Sequence, residues 1–375
     1  MWRWTWLGIT LIVLLLGPAP AAGQTTIAGR VVDDSTGTPL PRAHVFISHS
    51  TIGTTTDSAG HFRLPEIPAG ATRLHVSHVG YESYTRDLLL RPDTTLQAPI
   101  RLRPTVIKGE PLTVLGERDA DWYDRLDRFR RLFLGPDLWP ERCEIVNPEV
   151  LRFDTAWWGK FEAEAAQPLV IENRALGYRV TYYLREFEAR GDLVRWDGEP
   201  VFEPLTPRDS AEAQRWAANR RRAFRGSVRH FLLSLLHNRL EAEGFRMYRQ
   251  PRPDAYRRIG RPDRIPTTPD RVMTRRSPPP HELNFSGRLV IVYEGESEHE
   301  TYLDWADLRR SASDHQTSLI RLNERPVHID RHGEIVEPYG ATLYQYFAFT
   351  MRLASLLPTG YRPPDDTTLT AVPPP

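Results

Sequence analysis

A mainly β protein with an α+β C-terminal part is what these 375 residues predict. Three patterns point that way. Between Thr26 and Leu102, short runs rich in Val, Ile, Thr and Phe alternate apolar with polar residues, as half-buried strands do. Gly, Pro and Asp punctuate those runs at turn positions. Beyond residue 118, stretches with helical spacing interleave with further alternating runs. The expectation is a small antiparallel β-sandwich of six or seven strands, followed by a mixed sheet-and-helix domain.

Residues 1–23 read as a secretory signal: Arg3 supplies the positive end, Leu7 to Leu16 the apolar run, and Ala19 to Gly23 small residues for cleavage. The run is about ten residues, short of the roughly 20 that span a bilayer. Cleavage is expected after Ala22 or Gly23, an uncleaved N-terminal anchor being the alternative. No Cys follows the run, which excludes a lipid anchor on one there. No later apolar run reaches about 20 residues, so no helical transmembrane span is expected after signal removal. The chain is read as exported: periplasmic, at the outer-membrane periphery, or secreted. The lone Cys143 permits no intrachain disulfide and is read as a small buried apolar residue. A net charge of +1 gives no electrostatic case for nucleic acid or an anionic membrane as partner.

Strands are expected at Thr26 to Asp33, Ala43 to Ser50, Thr54 to Thr56, His61 to Leu64, Thr72 to Val79 and Leu96 to Leu102, with Ser83 to Leu88 a seventh. Between them, Asp34-Ser35-Thr36-Gly37, Asp57-Ser58-Ala59-Gly60 and Pro68-Ala69-Gly70 carry turn chemistry: Gly supplies positive φ and Asp accepts local backbone N–H groups. The phrases Gly29-x-Val31, Gly37-x-Pro39-Leu40-x-x-Ala43-x-Val45, and Gly53-Thr54-x-Thr56-Asp57-x-x-Gly60-x-Phe62-x-Leu64 belong together. Ile67-Pro68-x-Gly70 and Leu74-x-Val76-Ser77-x-Val79-Gly80-Tyr81-Glu82 complete them.

Over residues 25–103 this pattern resembles the carboxypeptidase regulatory-like domain, a transthyretin (prealbumin)-like β-sandwich. The resemblance implies an accessory fold without catalytic residues. In that family it is appended to metallocarboxypeptidases and, in Bacteroidetes, to exported and outer-membrane proteins. A zinc carboxypeptidase would need His-x-x-Glu and a later His, and none of the twelve histidines has Glu at the third following position. His75 and His78 would point to opposite faces of a strand, a poor ligand pair. HExxH, GxSxG, Walker A and GxGxxG signatures are absent.

Residues 104–118 read as a polar linker and 119–361 as one α+β domain. Asp119 can cap a helix over 120–134, with Trp122, Leu126, Phe129 and Phe133 on one face. Strands follow within 144–188, and 192–202 closes a meander. This block resembles the C-terminal region of exported proteins that bear the same N-terminal domain, a likeness that brings no functional residues. Helices are expected over 209–243, meeting near Gly226, with Phe224, Val228, Phe231 and Leu235 on one face. Residues 251–280 form a Pro/Arg-rich, flexible insertion. Strands return at 289–293, 318–322 and 327–329, a helix is expected within 343–357, and 362–375 is a disordered tail.

No catalytic residue, metal ligand or cofactor follows from these patterns. Trp157, Trp158, Tyr178 and Tyr182 are candidates for stacking on a ligand, with core packing the alternative. Seven Arg face only Asp209 and Glu212 between 208 and 229, so Arg221, Arg222, Arg225 and Arg229 are either a surface for an anionic partner or a solvated helix face. The functional expectation is a non-enzymatic cell-envelope protein that binds or assembles, with a polysaccharide or an envelope protein as partner. An envelope hydrolase using carboxylates such as Glu162 with Glu164, or Glu186 with Glu188, is the alternative. A carboxypeptidase with a divergent metal site comes last.

Overall fold

The computed structural model describes residues 24–105, 119–136, 138–139, 143–155, 159–191, 193–251, 264–276 and 279–364. The signal segment 1–23, most of the linker, Trp157, Trp158, much of the 251–280 insertion and the tail from 365 onward lie outside the described residues.

Seven strands build the first part: β1 (Gln24–Asp33), β2 (His44–Ile47), β3 (Gly53–Thr55), β4 (His61–Pro68), β5 (Gly70–Ser77), β6 (Tyr84–Leu90) and β7 (Thr95–Leu102). They form two sheets, ordered β4-β1-β7 and β3-β2-β5-β6. Ile27, Val31, Val45, Leu64, Leu74, Val76 and Ile100 fill the space between them. One pairing departs from the antiparallel expectation: β1 and β7 run parallel, from Thr26 opposite Thr95 to Asp33 opposite Leu102. The first and last strands of a sandwich are brought together by topology, which no local pattern encodes. Gly29 sits at their contact, where a Cβ would lie 2.1 Å from the Ala98 carbonyl oxygen. The turns follow their chemistry. The Asp33 carboxylate accepts from the Ser35 hydroxyl and from the amides of Ser35 and Thr36, which holds it well below the usual carboxylate range. Asp57 accepts from the amides of Ala59 and His61.

The second part begins with α1 (Ala120–Phe133), capped by Asp119, which accepts from the Trp122 amide. Its stripe of Trp122, Leu126, Phe129 and Phe133 is buried against a sheet. That sheet contains β8 (Cys143–Ile145), β9 (Leu151–Thr155), β10 (Phe161–Ala165), β11 (Leu169–Asn173), β12 (Tyr178–Arg190) and β13 (Leu193–Pro204). The order is β8-β11-β12-β10-β9, with β13 along the other edge of β12. Phe129 meets Phe187 of β12 edge-on at 4.7 Å between centroids. Then come α2 (Ser210–Phe224) and α3 (Val228–Leu236), which join at Gly226, φ 68°.

Phe231, Leu232 and Leu235 of α3 pack on a second core. It is formed by β14 (Phe245–Gln250), β15 (Ile265–Pro266), β16 (Met273–Thr274), β17 (His281–Leu283) and β18 (Arg288–Tyr293). After α4 (Glu300–Trp305) follow β19 (Gln316–Leu322), β20 (Val327–Ile329) and β21 (Ala341–Gln345). The sheets are ordered β15-β14-β18-β19-β21 and β16-β17-β20. The helix expected within 343–357 is α5 (Tyr346–Thr350), but it is five residues long: the first residues of the run belong to β21, and the run closes in a 3-10 turn at Leu353–Ser355 and not in a helix stopped by Pro358. A short apolar run does not declare its period, and β19 claims its first residues by pairing Ile320 with Leu343.

Phe129→Ala should cost about 3–5 kcal/mol, because its ring is fully enclosed. Tyr123→Ala on the outer face of α1, where Tyr123 is 55% exposed, should change stability by no more than about 0.5 kcal/mol. Denaturant unfolding of the two variants reads the difference, and equal losses would contradict the docking of α1.

Candidate functional site

The two parts meet along the outer face of the β3-β2-β5-β6 sheet. Phe46 of β2 stacks on Tyr183 of β12 at 5.3 Å between centroids, and the buried His75 of β5 lies 4.8 Å from the same tyrosine ring. Beside this aromatic contact sits Glu199 of β13, with no exposed surface. It accepts a hydrogen bond from the Ser48 hydroxyl and pairs with Arg73 at 3.5 Å and Arg185 at 3.1 Å. Arg73 also binds Asp87 at 2.7 Å, and Arg185 binds Asp197 at 2.8 Å. Charges therefore alternate in sign across the seam, from β6 through β5 to β13 and β12.

The loop after β2 extends the seam. The His49 amide donates to the Pro200 carbonyl at 2.8 Å, the Phe202 amide to the Ser50 carbonyl at 2.9 Å, and the Thr359 amide to the His49 carbonyl at 2.7 Å. His49 stands at φ 60°, a left-handed conformation that a non-glycine residue adopts at a cost, and these three bonds hold the backbone around it.

Next to the seam lies a cleft of about 550 Å³, within the range of ligand sites. One wall is the 47–52 loop with Ile67, Pro68, Thr72, Arg73 and Leu88. The other is the hairpin after β20, with Asp330, His332, Glu334, Ile335 and Val336, together with residues 358–361. The hairpin is shaped by Asp330, whose Oδ1 accepts from the amides of His332 and Glu334 while Gly333 takes φ 78°. Arg229 of α3 anchors both sides of this wall. It donates to Glu334 at 2.6 Å and to the carbonyls of Leu357 and Pro358 at 2.7 and 2.8 Å.

Burial tunes the titratable groups here. Removal from water, with the Glu334 charge adding to it, pushes the Asp330 carboxyl up to about 6. Burial lowers His332 to about 4 and also lowers His49, so both imidazoles are uncharged at neutral pH. Among the described residues, no group of three or more His, Cys, Asp or Glu is placed to hold a metal.

The sequence candidates fare unevenly. Tyr182 is 3% exposed, its ring edge-on to Phe133, so it offers no face to a ligand. Tyr178 borders the cleft, but Arg220 covers its ring at 4.2 Å. Trp157 and Trp158 lie outside the described residues. Arg229 is buried and bonded as above, and so is withdrawn from any surface for an anionic partner. Arg221, Arg222 and Arg225 lie at the end of α2, where Arg222 and Arg225 border a small cavity with Glu296 and His299. Lys160 bridges Glu162 at 2.6 Å and Glu188 at 3.3 Å, and Glu186 accepts from the Tyr339 hydroxyl. Those carboxylates are therefore engaged in ion pairs and hydrogen bonds. The cleft groups His49, Asp330 and His332 were not singled out, because nothing local links residues some 280 positions apart.

Glu199→Ala removes the carboxylate common to both guanidinium groups of the seam, which keep Asp87 and Asp197 as partners, and should cost about 1–3 kcal/mol. Calorimetry should then resolve separate sandwich and mixed-domain transitions; one unshifted transition would refute the role of the seam. Asp330→Asn tests the hairpin. The raised folded-state value means that the ionised carboxylate is held at a cost above pH 6, which declines as pH falls through that value and vanishes only below the free carboxyl value of about 3.9. The lowered histidines act oppositely, losing stability below their free value near 6.5, so the variant must be compared with wild type at each pH. Melting should rise by about 2–4 °C at pH 8 and by less than half as much at pH 4.5.

Residues 26–103 match the family described as the carboxypeptidase regulatory-like domain. No curated protein matches the chain. Among solved structures, a cohesin–X-dockerin complex from Acetivibrio cellulolyticus is 24% identical over 21% of this chain and 58% of that one, with a TM-score of 0.19. An Acinetobacter catechol 1,2-dioxygenase is 16% identical over 28% and 59%, TM-score 0.21. The minor pilin of Streptococcus agalactiae is 18% identical over 24% and 47%, TM-score 0.20. The chain spans less than two thirds of each of these structures, and overlaps this slight say nothing about function. Among the described residues no helix is long and apolar enough to cross a membrane. The protein is mainly β, and its residues 26–103 are a carboxypeptidase regulatory-like domain of transthyretin-like sandwich form.

Proposed function

We propose that the protein is a non-enzymatic, exported component of the cell envelope that binds or assembles, and that its ligand occupies the cleft beside the seam. One observation carries this reading: the cleft of about 550 Å³ has walls from both parts of the chain, and an ion network centred on the buried Glu199 fixes those parts against each other. A preformed concavity with apolar walls and a few convergent polar groups is how small-ligand and segment-binding sites are built. The carboxypeptidase regulatory-like domain then contributes a wall, not chemistry.

A hydrolase is the second reading, favoured by Asp330 titrating near 6 in the same cleft as two uncharged imidazoles. Release of reducing ends or amines from purified envelope polymers, abolished by Asp330→Asn, would replace the binding reading with this one.

Val336→Trp and Thr51→Trp introduce bulk from opposite walls at exposed positions. Wild-type protein should co-sediment with isolated cell-envelope fractions. Each variant should lose most of that retention while melting within about 2 °C of wild type. Retention unchanged in both variants, or none for wild type, would defeat the proposal.

A further inference from the structure

We infer that the cleft takes a neutral, hydroxyl-rich ligand, a segment of uncharged glycan; this rests on the reading of the cleft as the ligand site. Charge is the first argument. Three carboxylates line the cleft, Asp87, Asp330 and Glu334; Arg73 holds Asp87 and Arg229 holds Glu334. The lining includes one guanidinium, Arg73, and it is already held by Asp87 and Glu199. A phosphate or an acidic chain would therefore meet the Asp330 carboxylate without gaining a free cation. A basic chain would find Asp87 and Glu334 already held by Arg73 and Arg229.

Hydrogen-bonding capacity is the second argument. The rings of His49 and His332 make no hydrogen bond among the described residues, and each uncharged imidazole offers one donor and one acceptor. The hydroxyls of Thr51, Thr72 and Thr359 have the same dual character and are likewise without a described partner. The hydrogen bonds that Asp330 accepts both fall on Oδ1, leaving Oδ2 as an acceptor. Uncharged groups that both donate and accept, with one carboxylate acceptor beside them, match hydroxyl groups, which also donate and accept. Ile52, Ile67, Leu88, Ile335 and Val336 supply apolar surface for the C–H faces of sugar rings.

The third argument separates glycan from peptide. Extended peptides are commonly held by main-chain pairing. Along the 48–52 loop, the His49 amide and carbonyl and the Ser50 carbonyl are already bonded to β13 and to Thr359. Recognition on that wall falls to side chains.

Calorimetric titration of the full mature chain tests this with neutral hexasaccharides of glucose, xylose and N-acetylglucosamine. Inorganic phosphate, polygalacturonate, an acidic pentapeptide and a basic pentapeptide serve as comparators. At least one hexasaccharide should bind in preference to every comparator. His332→Ala and His49→Asn, the latter tolerant of the positive φ, should each weaken it by roughly tenfold. Val336→Trp should abolish it, and Arg222→Ala, outside the cleft, should leave it unchanged. Failure of all three hexasaccharides to bind, or binding indifferent to the histidine variants, overturns the glycan assignment. If a pentapeptide binds instead and Val336→Trp removes it, the cleft stands and the ligand class falls. If a probe binds and neither tryptophan variant affects it, the cleft itself is not the site.

Discussion

A carboxylate with no exposed surface is tolerated only where its charge is met, because taking an ion out of water costs several kcal/mol. Glu199 is such a group, and its partners come from both sides of the seam: the Ser48 hydroxyl and Arg73 from the sandwich, Arg185 from β12. A different docking of the two parts would bury Glu199 without Arg73, or Arg73 without Glu199. The network thus selects one orientation more than it adds net stability. The apolar contribution comes from Phe46, His75 and Tyr183, whose rings enclose the contact beside it.

One orientation has a geometric consequence. The 47–52 loop is carried to β13 and to Thr359, and the hairpin after β20 is held through Glu334 by Arg229, which also fixes Leu357 and Pro358. Each wall is therefore anchored to an element outside the cleft, the loop to β13 and the hairpin to Arg229 of α3. The positive φ of His49 fits this picture: a strained residue persists where its surroundings over-determine it, and such residues gather at functional positions.

What could be read from sequence was whatever is encoded over a few residues. The apolar stripe of α1, its Asp119 cap, the Asp-containing turns and the break at Gly226 are all local, and all appear where spacing and turn chemistry put them. Parallel pairing of β1 with β7 depends on topology and was missed. Burial of Tyr182 and Arg229 depends on which element arrives from elsewhere in the chain, so an aromatic or a guanidinium cannot be assigned to surface or interior from its neighbours alone. The cleft is the extreme case. His49 lies in a sandwich loop and Asp330 in a hairpin, and only the folded seam makes them parts of one site.

This also settles what a family likeness can contribute. The likeness covers residues 26–103 and names a domain, not an activity. Ile47, Ser48, His49, Thr72 and Arg73 of that sandwich nevertheless form part of the cleft, although alone they would line only an open loop and a sheet face. The opposing wall comes from residues 330–336 and 358–361, which the family does not include. Neither part encloses the cavity by itself. Function argued from the sandwich fold alone would be argued from half of the cleft, whose donors and acceptors are assembled from both parts.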